Sequence, residues 1–198
     1  ICGIKIFMGS STGTLLVNER EALEAIFKGT GGLIAVHAED EKRMEDRLPM
    51  MEGRTDIAAH AEWRDDVTAL IATKLAVELA QASGHRLHIL HLTSGIEADW
   101  LENITILPSK ATGKDAIITT ETLPQHLTFD ETDVAREGTR LQMNPPVRYK
   151  KDRETLWKQL KSGTVQCIAT DHAPHTLEAK ALGFPKAPSG MPGAVSYT

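Results

Sequence analysis

Five short apolar runs, each ending on or next to a polar side chain and separated by stretches with helical spacing, constrain this chain more than anything else in it. Gly3-Ile-Lys-Ile-Phe7, Leu33-Ile-Ala-Val-His37, Leu87-His-Ile-Leu-His91, a run ending at Glu121, and Val165-Gln-Cys-Ile-Ala169 before Asp171 all read as strands. The last reads as fully buried, and a carboxylate follows it at once, with the Pro-stiffened turn His172-Ala-Pro-His175 beyond. Charged side chains are rarely buried without a partner, so an Asp at the end of a core strand calls for a metal or a catalytic proton. Alternating strands and helices imply parallel strands with right-handed crossovers, either doubly wound or closed into a barrel. A closed (β/α)8 barrel takes eight strands and typically ~250 residues, so five strands are a little over half of one.

The helices are read from their punctuation. Asn18 is expected to cap a helix over 19–28, closed by Gly29 and the pair Gly31-Gly32. The segment from His37 to Met50 reads as a polar stretch of mixed charge. Asp65 or Asp66 starts the best helix, with Val67, Leu70, Ile71, Leu75 and Leu79 at helical spacing and Gly84 as its stop. Further helices are expected over 96–102 and 152–161, a strand over 116–121, and a loop from Gly183 to Gly193.

Composition narrows the class. The 198 residues are 41% hydrophobic and 25% charged, as in ordinary globular proteins, and the net charge of −5 is mixed along the chain. That leaves no basic footprint for nucleic acid or for acidic membrane surfaces. No apolar stretch approaches the ~20 residues of a membrane span. Cys2 and Cys167 sit in apolar runs and read as buried free thiols, which suits the cytoplasm. Ile1-Cys-Gly-Ile4 begins inside a strand-like run, so the native N-terminus is expected upstream.

Strand parity sorts the candidate ligands. Residues three apart on a strand face opposite ways, so His88 and His91 are not expected in one site. His91, at the strand end, is the better ligand, and His88 is expected to pack outward. Lys5 shares a face with Gly3 and Phe7. Lys5, His37, His91 and Asp171 are thereby brought towards one rim of a parallel sheet, where barrel enzymes keep their chemistry. Imidazole and carboxylate suit Zn²⁺ without excluding Mn²⁺ or Co²⁺.

These stretches, with Val36-His-Ala-Glu39, Thr120-Glu-Thr-Leu-Pro-Gln-His-Leu127, Gln142-Met-Asn-Pro-Pro-Val-Arg148 and Ala169-Thr-Asp-His-Ala-Pro-His175, resemble the cyclic amidohydrolases, and within them the dihydroorotases, in the family's order and over nearly the whole chain. The resemblance implies a TIM barrel of the metal-dependent hydrolase type, present in part (about strands 4–8), with residues 1–198 as one partial barrel domain. It implies that Lys5 is carboxylated on its amine and bridges two zinc ions, that His37 and His91 hold the second, and that Asp171 holds the first and shuttles the proton. Asn144 and His175 match groups holding the pyrimidine ring and its carboxylate, Pro192-Gly193 a substrate-lining loop, and Glu121 a family position of lower rank. The implied reaction is reversible opening of dihydroorotate to N-carbamoyl-aspartate in pyrimidine synthesis, by a homodimer or a complex with a transcarbamoylase. Allantoinase or hydantoinase chemistry, or a silent scaffold subunit, are the alternatives.

One departure stands out. The family's His-x-His and substrate-binding Arg of the first barrel strand have no counterpart among the eight histidines. The expectation is that about the first third of the domain lies outside this chain, that Ser196-Tyr-Thr198 stops short of a further helix, and that the chain alone is inactive or poorly folded.

Overall fold

The computed structural model describes residues 2–9, 15–104 and 118–193. Five parallel strands form one sheet in sequential order: β1 (Gly3–Phe7), β2 (Leu33–His37), β3 (Arg86–Ile89), β4 (Ile118–Thr122) and β5 (Cys167–Ile168). A doubly wound sheet reverses its strand order at a switch point. This sheet never reverses, so right-handed crossovers place the strand-connecting helices on one face, which is the arrangement of a barrel wall. The fold is a partial (β/α) barrel. The expected start of β4 at Ala116, and Ser196–Thr198, lie outside the described residues.

The register separates two faces. Ile6, Ile34, Val36, Leu87, Ile89 and Ile118 are buried and form the core with the helices. On the opposite face, one row of partners runs Lys5, Ala35, His88 and Thr119, because Lys5 pairs with Ala35, Ala35 with His88, and His88 with Thr119. His88 therefore shares a face with Lys5, against the expectation that it packs outward.

The helix α1 (Arg20–Gly29) begins one residue later than expected, with Glu19 rather than Asn18 at the cap position and no side-chain cap. The expected polar stretch after β2 contains α2 (Glu41–Arg47), a 3-10 turn over Leu48–Met51 and α3 (Ala58–Trp63). These short, charged helices are held from outside: Arg43 pairs with Asp65, and Arg47 donates to the carbonyls of Glu62 and Trp63. Helix α4 (Asp66–Ser83) behaves as read, with Asp65 accepting from Thr68 N and Gly84 closing it at φ 68°. Its buried stripe is Thr68, Ala69, Ala72, Thr73, Ala76, Val77, Leu79 and Ala80, and Ile71 is exposed. Small residues let α4 lie close to the sheet, so the larger aliphatics flank the contact.

After β3 come α5 (Gly95–Leu101), α6 (Pro124–Thr128), α7 (Glu131–Glu137), α8 (Lys150–Ser162) and α9 (Leu177–Lys180). A smaller cluster of Leu123, Leu141, Met143, Val147 and Met191 packs beneath the loops that follow β4 and β5. The segment 165–169 was expected to be fully buried. In the structure β5 is the sheet edge, and Cys167 and Ile168 are exposed; Cys2 is exposed as well. Among the described residues no helix is long and apolar enough to cross a membrane.

Candidate active site

The C-terminal ends of the strands open onto a cavity of about 140 Å³ lined by Lys5, Phe7, His37, His91, Met143, Asn144, Asp171, Ala173, Ser189, Gly190 and Met191. Five of the residues singled out in the sequence thus meet at one place, contributed by β1, β2, the loops after β3 and β5, and the segment between α7 and α8 that carries Asn144. A larger recess of about 480 Å³ adjoins it, and Asn144 and Ser189 line both.

His37 and His91 are buried, with His37 Nδ1 2.9 Å from His91 Nε2. The far nitrogen of His37 lies 2.9 Å from Glu39 Oε2. A carboxylate can only accept, so His37 carries its proton on Nε2 and turns the Nδ1 lone pair towards His91. Glu39 also pairs with the buried Arg64. Burial pushes the Glu39 carboxyl up, but Arg64 and His37 more than offset it and hold it well below the usual carboxylate range. Burial above all, with the Lys5 ammonium nearby, holds the His91 ring well below the ordinary histidine value.

His91 leaves β3 with φ 38°, and Asp171 leaves β5 with φ 41°; among the described residues they are the two non-glycine residues in the left-handed region. That rotation ends strand alternation and turns the His91 ring to His37. His88, still on the strand, bonds Glu121 at 3.0 Å and Thr119 at 2.7 Å, while Glu121 also accepts from His91 N at 3.4 Å. Burial pushes the Asp171 carboxyl up, opposed by the charges of Lys5 and His37. The Lys5 amine stands 4.5 Å over the Phe7 ring.

The remaining expected residues sit at the margin. His175 bonds Ser189 O at 3.1 Å, beside the lining rather than in it. The loop expected to line the site through Pro192 and Gly193 does so through Ser189, Gly190 and Met191. The Pro192 carbonyl is taken by Gln125 Nε2 at 3.4 Å, and the Gly193 carbonyl by His172 Nδ1 at 2.6 Å. Two histidines were missed. His60 bonds Asn144 Oδ1 at 3.0 Å, and buried His126 has no hydrogen-bond partner for either ring nitrogen among the described residues. His126 lies within the quoted Thr120–Leu127 stretch, whereas nothing in the local sequence marks His60.

The donor set can be tested for a metal. Two Zn–N bonds of ~2.0–2.1 Å at a tetrahedral angle put their nitrogens about 3.3 Å apart. His37 Nδ1 and His91 Nε2, at 2.9 Å, stand slightly closer than that, and Glu39 orients His37 as a carboxylate behind a ligating imidazole does. With a small opening the pair suits one ion. Among the described residues no three His, Cys, Asp or Glu side chains gather closely enough to hold one between them.

No family profile matches the chain. A dihydroorotase of Methanosarcina mazei is 33% identical over 191 residues, which cover 96% of this chain and 42% of that protein. The D-hydantoinase of Bacillus sp. AR9 superposes with a TM-score of 0.82 at 27% identity, covering 98% of this chain and 43% of that one. The dihydroorotase of Saccharomyces cerevisiae, solved with 5-fluoroorotic acid, gives 0.70 at 19% identity, over 96% and 50% of the two chains, a likeness of fold. The chain spans about two fifths of the curated relatives it matches. Sequential parallel strands, a polar cavity at their C-terminal ends and these relatives agree: the chain belongs to the cyclic amidohydrolases.

Proposed function

We propose that the protein carrying this chain is a dihydroorotase that opens and closes the cyclic amide of dihydroorotate with zinc as cofactor. The observation that carries the reading is the convergence of Lys5, His37, His91, Asn144 and Asp171 on one cavity, in a chain whose curated relatives are named dihydroorotases. His37 and His91 would hold one ion, Asp171 another, and Lys5, carboxylated on its amine, would bridge the two. Bound zinc lowers the pKa of water to ~7 and so supplies hydroxide at neutral pH.

The chain's own residues do the rest. Glu39 keeps the Nδ1 lone pair of His37 on the cavity side. Asp171, raised by burial, is suited to take a proton from the attacking water and return it to the departing ring nitrogen. Water oxygen adds to the ring carbonyl carbon, the carbon–nitrogen bond breaks, and the nitrogen leaves protonated as the ureido group of N-carbamoyl-aspartate. Asn144 is placed to bind the ring or its carboxylate, with His175 at the cavity margin.

A hydantoinase is the second reading, favoured by the solved neighbours of TM-score 0.82–0.83. Assay of the full-length, zinc-loaded protein on dihydroorotate, hydantoin and allantoin separates the two. The expected result is a kcat/KM for dihydroorotate at least about tenfold above either rival, a preference of ~1.4 kcal/mol in transition-state binding. A preference for hydantoin would overturn the assignment.

A further inference from the structure

Asn144 is one of two residues, with Ser189, that line both the candidate active cavity and the larger recess beside it. Its oxygen is already occupied. Oδ1 lies 3.0 Å from His60 Nε2, and an amide oxygen can only accept, so the proton of His60 sits on Nε2. His60 comes from α3, 84 residues earlier, and is itself fixed: it is 5% exposed, and its ring centroid lies 6.0 Å from that of Phe184. With Oδ1 engaged, the hydrogen-bonding group that Asn144 can offer the cavity is its Nδ2 amine, for which the described residues supply no partner.

An asparagine without such an anchor turns over by 180° at little cost, and then presents an acceptor as readily as a donor. We propose that His60 is a positioning residue that locks Asn144 as a hydrogen-bond donor, so that the cavity selects ligands presenting a carbonyl or carboxylate oxygen at that point. The inference rests on the reading of the cavity as a cyclic amidase site, and extends it to a residue in a different segment of the chain. Burial, and then the Arg64 guanidinium, push His60 down to about 3, so the imidazole is neutral across the working range and its anchoring does not titrate.

The test uses the full-length protein and dihydroorotate, with KM and kcat read separately. His60→Leu removes the donor and His60→Gln keeps an N–H at a similar reach. Once released, the carboxamide presents its donor about half of the time, so KM should rise by about twofold with kcat unchanged. His60→Gln should match wild type in both. An unchanged KM in His60→Leu overturns the proposal, as does a folded His60→Gln that fails as badly. If His60→Leu does not fold, Asn144→Asp decides: it still accepts from His60 but presents an oxygen to the cavity, so its KM should rise at least about tenfold, and an unchanged KM refutes the lock. Should the wild type prefer hydantoin or allantoin, the dihydroorotase reading fails alone and the same variants are read on that substrate. No turnover of any of the three overturns both.

Discussion

Glu97 gives the sharpest physical test of the fold that supports the site. It lies in the first turn of α5, is 2% exposed, and accepts a hydrogen bond from Thr73 of α4. Burial raises its carboxyl to about 7, the Thr73 bond and the Arg148 charge offsetting only part of the rise, from an ordinary value of 4.5. Between pH 4.5 and 7 the unfolded chain gives up this proton and the folded chain keeps it. The unfolded state then binds fewer protons, so stability falls as pH rises. The contribution is fully present below 4.5 and is lost as pH climbs to 7. The span is 7 − 4.5 = 2.5 pH units, and at 1.36 kcal/mol per unit the loss is about 3 kcal/mol. Glu97→Gln keeps the shape and an oxygen for Thr73 but has no proton to lose. Its stability relative to wild type should therefore improve by about 3 kcal/mol between pH 4.5 and 8, seen as a melting difference that shifts by about 6–12 °C for a domain of this size. A difference that stays flat with pH, or moves the other way, would show that Glu97 ionises freely and that the α4–α5 contact is wetter than the structure has it.

Other outcomes follow from the site. Asp171→Asn should lower kcat by about 10²–10⁴-fold while circular dichroism stays unchanged, and residual activity above that range would remove Asp171 from proton transfer. Glu39→Gln, which takes away the carboxylate charge behind His37, should cost about 10–100-fold in metal affinity or activity, measured by metal titration of the full-length protein. Dialysis against a chelator should abolish turnover and added zinc should restore it; activity that survives complete metal removal would sink the zinc mechanism. In Gly190→Ala a new Cβ would lie 2.5 Å from Ala173 O at a backbone φ of 145°. That substitution should cost at least about 1–3 kcal/mol and raise KM, because Gly190 lines the cavity, and a neutral effect on melting would show that the loop relaxes freely.

The strands were legible because an apolar run five residues long bounded by Gly, Pro or a polar residue has few other uses, whereas their order stood open between a doubly wound sheet and a barrel until the strand pairing decided it. The caps of α4 were legible for the same local reason: Asp65 and Gly84 each satisfy a helix end by themselves. Helices α2 and α3 were hidden. Met44 is the one residue of α2 that is buried, and pairing with Asp65, Glu62 and Trp63, all later in sequence, holds the segment in place. His60 was hidden with them, since its meaning lies in Asn144. The exposure of Cys167 and Ile168 was equally out of reach: a run of apolar residues carries no mark of whether its strand has neighbours on both sides.

His91 shows most clearly why the site was only half readable. Parity predicts that His88 and His91 face opposite ways, and along an unbroken strand that holds. The strand stops at Ile89, however, and the left-handed turn at His91 resets the direction of its side chain, so His88 and His91 come to serve adjacent layers of one polar interior. A non-glycine residue in that conformation costs about 1–3 kcal/mol unless its surroundings fix it. Here they do. Leu90 N is bonded to Val36 O at 3.1 Å and Leu92 N to Glu121 O at 2.7 Å, so the backbone on either side of His91 is pinned to both neighbouring strands. Asp171 is treated alike, between Ala169 N on Thr122 O at 3.0 Å and Ala173 N on Met191 O at 3.0 Å. These flanking backbone bonds, three of them to neighbouring strands, thus supply the energy that holds an imidazole and a carboxylate in strained turns over a common cavity. Glycine at either position would relax the turn and lose the group, which is the physical reason that strain and chemistry coincide at these two residues.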